Sequence, residues 1–498
     1  MLLVGVVLAL GFLWGRGRHV WYWLDEGISV GIASHPLSQI PELLRNDGSP
    51  PLYYALLRLW TSVFGTSEAA THLLSLAFAL AVLPVAFWAG VTLRSRRTGW
   101  VAVALVAVSP FMGDYVNETR MYTLVVLLSL ATSALFAHVF VLSHRRYRIP
   151  CALCLALLLY THNWALFFAA ALGVGVLVCA VLAEDGFTRK RAILDGAVVL
   201  GVAGFLYLPW LPTLAYQLAH TGAPFSQRPT LLQVRADLMK LLGGPEVVVA
   251  LGLGVGVALI EVFHRPRSRD SGMLVLWATI VAVVVGLGWA ISRDNSVWVY
   301  RYLAVVVGPL LLMLAVAISE AGRSGLVALG VIAFLAAPVG VKGQLFDKSN
   351  VADVVGQLGP RLAPGDLVVG DFGRLPVLAH YLPAGLSYVE TTGPVADPLA
   401  SDQRNATERL RAALPEQALR PSLDRLATDQ HLLLVCSASE PAVDSTEFLR
   451  LIVVRCEQAL ALLRADPRFR LDAVVAPVAR THSPVNGLLF TRTGVPTN

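Results

Sequence analysis

Apolar stretches long enough to cross a bilayer recur along the first two thirds of the chain. They lie at about 68–93, 98–113, 121–143, 149–161, 164–182, 192–212, 246–263, 272–291, 301–319 and 324–342, with a shorter one at 1–14. Each reads as a membrane helix, about eleven in all. The run at 1–14 either continues through Trp21–Trp23 or lacks residues upstream, and no basic segment precedes it as in a cleaved signal peptide. Between the first two runs, the stretch 15–67 mixes apolar and polar positions, and its patterns at Pro41–Leu44 and Leu52–Trp60 predict short helices lying along the interface. Beyond about 343 the pattern changes. Strand-like pieces at Asp366–Gly370, His431–Val435 and Gly487–Thr491 alternate with helical periodicity at 403–414 and 446–464, which predicts a small soluble α/β domain. The expected architecture is a polytopic α-helical membrane protein with a membrane domain over 1–342 and an α/β domain over 343–498.

The composition agrees: of 498 residues, 56% are hydrophobic and only 14% charged, and the mean hydropathy is +0.65, a balance foreign to soluble chains. The net charge of +6 does not signal nucleic acid, because the basic residues fall in short clusters between apolar runs and not along one face. Arg94/Arg96/Arg97, Arg145/Arg146/Arg148, Arg189/Lys190/Arg191, Arg265/Arg267/Arg269 and Arg323 all fall on one side of an eleven-span topology, which the positive-inside rule makes cytoplasmic. Arg16 and Arg18 break the pattern. The opposite side then carries 15–67, 114–120, a break near Thr161–Asn163, 213–245, 292–300 and the α/β domain, so the protein is expected in a cytoplasmic membrane with its working face outside. The five cysteines form no CxxC pair and no zinc spacing. Cys151, Cys154 and Cys179 read as small buried hydrophobes, whereas Cys436 and Cys456 lie in the polar part, where a disulfide is compatible.

Five polar groupings fall on that outer side. Trp21-Tyr-Trp-Leu-Asp25-Glu26 places two carboxylates among interfacial aromatics; solvated loop acids are the plain reading, and a base accepting a proton from an attacking hydroxyl is the functional one. Asn46-Asp-Gly-Ser-Pro50-Pro51-Leu-Tyr53-Tyr54 is a rigid turn into an aromatic pair. In Asp114-Tyr-Val-Asn117-Glu118-Thr-Arg120-Met-Tyr122, the guanidinium of Arg120 could bind a phosphate or simply pair with Glu118. Tyr160-Thr-His162-Asn163-Trp164 interrupts an apolar stretch, and His162 is either structural or a partner for a phosphate or sugar hydroxyl. Tyr300-Arg301-Tyr302-Leu303 opens a span. Acid, cation and aromatic ring together suit a lipid-linked phosphate sugar.

Leu24-Asp25-Glu26-Gly27, Pro50-Pro51-Leu52-Tyr53-Tyr54, Ser109-Pro110-Phe111 with Glu118-Thr-Arg120-Met-Tyr122, Tyr160-Thr-His162, Arg301-Tyr302-Leu303 and Pro364-Gly365-Asp366 follow one another in the order of a known family. The chain resembles the GT-C superfamily of polyprenyl-phosphate-sugar transferases, in the branch of the protein O-mannosyltransferases and lipid A aminoarabinose transferases. The resemblance implies inverting transfer of a sugar, mannose or another pentose or hexose, from a polyprenyl-phosphate donor to an acceptor glycan, lipid or protein. Asp25 would be the general base and Glu26 its support. Arg120 and Arg301 would neutralise the lipid phosphate, helped by Tyr122 and His162, with Tyr53, Tyr54, Glu118 and Tyr302 around the substrate. A groove near Tyr53, Tyr54 and Trp60 would hold the prenyl tail. Some members use a divalent cation, for which Asp25, Glu26, Asp114 and Glu118 are the available ligands; no metal site is otherwise predicted. A transporter or a non-catalytic glycolipid-binding protein is the alternative, although a transporter's charges belong at mid-bilayer and these lie at span ends.

Overall fold

The computed structural model describes residues 21–264, 268–343, 348–438, 445–477, 481 and 483–494, without the side chains of 257–264 and 336–343. The apolar run at 1–14 and both Arg16 and Arg18 lie outside them. The chain then forms three short helices, α1 (Leu24–Ala33), α2 (Ile40–Asp47) and α3 (Leu52–Phe64). Asp25 and Glu26 occupy the first turn of α1, where the helix dipole favours negative charge. Pro41 sits in the first turn of α2, and Gly48 ends it at φ 98°, a conformation a side chain resists.

Every apolar run beyond the first is helical. They form α4 (Glu68–Leu93), α5 (Arg96–Val108), α6 (Pro110–Tyr115), α7 (Tyr122–Phe140), α8 (Arg148–Leu159) and α9 (Ala165–Val181). Then come α10 (Gly186–Tyr207), α11 (Leu211–His220), α12 (Leu231–Leu242), α13 (Pro245–His264), α14 (Arg269–Ile291), α15 (Ala304–Glu320) and α16 (Gly322–Gly343). Among the described residues five helices, one of them running on from α10 through α11, are long and apolar enough to cross a membrane, or six if α12 and α13, bent by 71° at their junction, form one span. The other runs are shorter or broken: Ser109-Pro110 splits 98–113, because proline cannot donate to the preceding turn. The outward faces are apolar, with Phe205, Leu253 and Phe334 among the large exposed side chains, as lipid contact requires.

The basic loops meet acids at shared helix ends. Arg94 pairs with Asp270 at 3.0 Å and also with Glu320, and Arg145 and Arg148 pair with the buried Asp195 at 2.8 and 3.0 Å. Thus the 94–97 cluster lies against the start of α14 and the junction of α15 with α16, and Arg145, Arg148 and Arg191 gather around Asp195.

The C-terminal part comprises α17 (Val351–Leu358), β1 (Leu367–Gly370), α18 (Leu375–Tyr381), β2 (Ser387–Glu390), β3 (Gly393–Pro394), α19 (Ala406–Ala412), α20 (Pro415–Arg425), β4 (His431–Ser437), α21 (Glu447–Ala465), β5 (Phe469–Val475) and β6 (Val485–Arg492). The strand order is β3-β2-β1-β4-β6-β5. β1 is parallel to both β2 and β4, while β4 with β6 and β5 with β6 are antiparallel. Its buried strand β4 reads Leu432-Leu433-Leu434-Val435, the continuous apolar run of a strand covered on both faces. A Cys436–Cys456 disulfide ties β4 to α21.

Helix α1 belongs to both parts. Tyr22 and Val30 pack into the same cluster as Val351, Leu378 and Leu433 of the α/β domain. The Tyr22 N–H donates to the Tyr381 hydroxyl at 2.8 Å, and that hydroxyl donates to Glu68 at 2.6 Å. Gly27 lets α1 lie against α18: a Cβ there would come within 2.5 Å of the Val377 Cβ and 2.7 Å of its Cα. Gly27→Ala therefore forces these helices apart, and we expect a loss of about 1–3 kcal/mol, read as earlier thermal unfolding in detergent and faster proteolytic release of the α/β domain.

Candidate active site

Where the two parts meet, they enclose a cavity of about 770 Å³. Its floor carries Asp25, Arg120, Tyr122, His162, Arg301 and Tyr302, six residues drawn from four separate stretches of sequence. The α/β domain closes the opposite wall with Asp371, Phe372, Arg374 and Phe448.

Asp25 is placed by the first turn of α1 and lies with Oδ2 3.1 Å from an Nη of Arg301. The Arg120 guanidinium approaches from the turn before α7, donating from Nη1 to Ser29 Oγ at 2.9 Å and, more weakly, to the Tyr54 hydroxyl and the Asp25 carbonyl, both at 3.4 Å. The Nε groups of Arg120 and Arg301 and the Tyr122 hydroxyl are buried without a hydrogen-bond partner. Such donors demand an acceptor, and two guanidiniums with spare N–H groups beside one carboxylate make an anion site. Trp23 and Phe225 hold the Arg301 guanidinium in place, their ring centroids 5.9 and 5.6 Å from it. His162 stands in the turn between α8 and α9, edge-on to Tyr302 with centroids 4.9 Å apart. Its Nδ1 accepts from the Trp164 N–H at 3.1 Å, so the proton sits on Nε2. Burial, together with the charges of Arg120 and Arg301, pushes its pKa down to about 3; it acts as a neutral hydrogen-bonding ring.

The adjacent acids divide their roles. Glu26 turns away from the cavity into the protein, where Oε1 accepts from His72 at 2.7 Å and from the Thr119 N–H at 2.8 Å. Burial works against its charge, but His72 and Lys348 outweigh it and hold the carboxyl below the usual range. It fixes α1 to α4 and to the turn that presents Arg120, so it is a positioning group. Glu118 is likewise fully buried and points elsewhere. Of the two readings of Arg120, the pairing with Glu118 is not what forms, and Glu118, expected around the substrate, does not line the cavity: it pairs with Lys348 at 2.6 Å. Tyr53 and Tyr54 are buried beneath the floor and do not line the cavity, and Trp60 donates its indole N–H to the Ala70 carbonyl at 2.7 Å. The apolar part of the cavity is built instead from Leu166, Phe167, Leu214, Leu218 and Ile291, several helices away.

The candidate cation ligands do not gather. Among the described residues no group of three or more His, Cys, Asp or Glu side chains is placed to hold a metal, and Glu26 and Glu118 are occupied by internal partners.

Sequence reasoning missed Lys348, Asp371 and Arg374. Lys348 carries no spacing signal. Asp371 and Arg374 follow directly on the strand-like run ending at Gly370, and the end of a parallel strand is where α/β sheets place polar chemistry.

No family model and no curated protein matches this chain. Solved structures do. ArnT from Cupriavidus metallidurans in its apo state superposes with a TM-score of 0.60 at 14% identity, over 98% of this chain and 97% of that one; its complex with undecaprenyl phosphate gives 0.58 at 14%, over 100% and 97%. The Archaeoglobus fulgidus oligosaccharyltransferase in its apo form gives 0.57 at 11%, over 88% and 69%. The chain thus shares the fold of these proteins, a polytopic helical part followed by a C-terminal domain, at identities too low to carry function by themselves.

Proposed function

We propose that the protein is an inverting glycosyltransferase that moves a sugar from a polyprenyl-phosphate donor to an acceptor on the outer face of the cytoplasmic membrane. The observation that carries the reading is the Asp25 carboxylate beside two arginines with unpartnered N–H groups, at the floor of a cavity whose other end is apolar. A structure of the same fold, that of ArnT, was solved with undecaprenyl phosphate bound, which supports a lipid-phosphate donor. The Cys436–Cys456 disulfide supports an oxidising compartment for the α/β domain.

In this mechanism the prenyl tail lies along Leu214, Leu218 and Ile291, and the phosphate meets Arg120 and Arg301. Arg301 then exchanges Asp25 for the phosphate and leaves the carboxylate free. Asp25 takes the proton of the acceptor hydroxyl as its oxygen attacks the anomeric carbon from the face opposite the phosphate. The carbon–oxygen bond to the phosphate breaks with its electron pair, and the two guanidiniums stabilise the charge that builds on the departing lipid phosphate. Tyr122 and the neutral His162 offer further hydrogen bonds to the phosphate or sugar.

Arg301→Gln and Arg120→Gln test the phosphate site. Each should weaken binding of polyprenyl phosphate by roughly 10–100-fold, the loss of one charge-assisted contact, measured by titration in nanodiscs. Unchanged binding in both variants would remove these residues from the donor site.

A further inference from the structure

The wall of the cavity opposite Asp25 is a built site that the transfer chemistry does not use. In the α/β domain the chain leaves β1 for β2 on one side and returns to β4 on the other. The crevice at the C-terminal ends of β1 and β4 is therefore a topological switch point, the place where such sheets receive ligands. Asp371 closes the ends of these strands: its N–H donates to the Val435 carbonyl at 3.2 Å, and its Oδ2 accepts from the Ser437 N–H at 2.7 Å. Arg374 grips the same carboxylate through Nε and Nη2 at 2.6 and 3.0 Å, while its Nη1 is buried with no partner. The side chain is 4% exposed, and Arg374 lines the cavity together with Phe372, Phe448, Gln403, Ser437 and Ser445. Phe372 and Phe448 meet edge to face, centroids 5.6 Å apart.

We infer that this wall is the acceptor subsite and that it takes an uncharged sugar ring. The inference rests on the transferase reading, to which it adds the class of acceptor. Asp371 already neutralises Arg374, so a second anion here would face a carboxylate across a shared guanidinium and gain little. What remains is a planar donor, small hydroxyls, an amide and two aromatic rings. Those are the groups that meet a sugar, which shows apolar C–H faces to rings and hydroxyls to fixed polar partners. Helix α18, which begins directly after Arg374, packs on α1 through Val377 and Gly27, which holds this wall in a fixed relation to Asp25, so a sugar seated here presents a hydroxyl toward the base.

The experiment has two arms on the full chain in nanodiscs. In the first, saturation-transfer NMR follows uncharged gluco- and manno-trisaccharides and their phosphorylated forms. We expect the uncharged sugars to bind the wild type, with Arg374→Lys weakening them roughly 10-fold or more and inorganic phosphate not competing. In the second, release of sugar from a polyprenyl-phosphate donor to water is compared with transfer to the trisaccharides. Arg374→Lys should raise the acceptor KM while hydrolysis to water is unchanged; Arg374→Gln should repeat the effect if it folds. Absence of trisaccharide binding to the wild type, preference for the phosphorylated forms, or a variant that lowers hydrolysis and transfer equally would overturn the subsite. Trisaccharide binding with no consumption of any donor would instead overturn the transferase reading.

Discussion

Asp25→Asn should abolish sugar transfer while leaving donor affinity within about twofold of the wild type. Asparagine matches aspartate in shape but cannot take a proton, and loss of a general base costs roughly 10²–10⁴ in rate. Because Asp25 pairs with Arg301 in the resting site, the variant also frees that arginine, so donor binding holds or tightens while kcat falls. This split separates a base from a residue that merely shapes the pocket, for which Kd and kcat would worsen together. Glu26→Gln gives the contrast. Its carboxylate is held by His72 and Thr119 away from the cavity, so its effect should appear first in thermal stability and only then in rate.

The second large effect is structural. Lys348→Met removes the only partner assigned to the Glu118 carboxylate among the described side-chain contacts, stranding a buried charge. Breaking such a pair from one side costs about 3–5 kcal/mol. Burial already pushes the Glu118 carboxyl above its ordinary value even with the lysine present, and loss of the lysine pushes it further the same way. A carboxyl whose folded pKa lies above its unfolded one contributes stability that is present at low pH and lost as the pH rises. The variant's deficit in thermal stability should therefore shrink on acidification toward pH 5 and widen above pH 7. Adding Glu118→Gln to Lys348→Met should recover much of the loss by removing the orphaned charge. A deficit independent of pH, or no recovery in the double variant, would show that the pair does not act as described. Since Lys348 lies near the start of the α/β domain and Glu118 in the turn that carries Arg120, this contact also links the domain to the phosphate site.

The membrane helices were legible because burial in lipid leaves a signal in composition alone: all the described apolar runs are helical, although 98–113 is broken at Ser109-Pro110 and the helix holding the run at 192–212 begins at Gly186. The α/β domain was legible only in outline. Its interior strands β1 and β4 announce themselves as apolar runs, whereas β5, Phe469-Arg470-Leu471-Asp472-Ala473-Val474-Val475, mixes charge with apolar residues at the sheet edge and gives no clean period. Within the site, Asp25, Arg120, Tyr122, His162, Arg301 and Tyr302 all emerged because polar groups at span ends are costly enough to need a reason. Distinguishing them from Glu26, Glu118, Tyr53 and Tyr54 was beyond sequence, since neighbours in a turn diverge by side-chain direction. The direction is set by distant partners: His72 for Glu26 and Lys348 for Glu118. The location of the apolar channel failed for the same reason, since an aromatic pair that is buried in the core and one that lines a groove look alike in one dimension.

Turnover by the unmodified protein is the most direct test of sugar transfer. Purified wild type in nanodiscs would be given isotopically labelled polyprenyl-phosphate sugars, with membrane extract as acceptor, and followed for release of the lipid phosphate and for the anomeric configuration of the product. Release that depends on the acceptor, with configuration inverted at the transferred carbon, is the predicted result; no consumption of any donor, or a product of retained configuration, would contradict it.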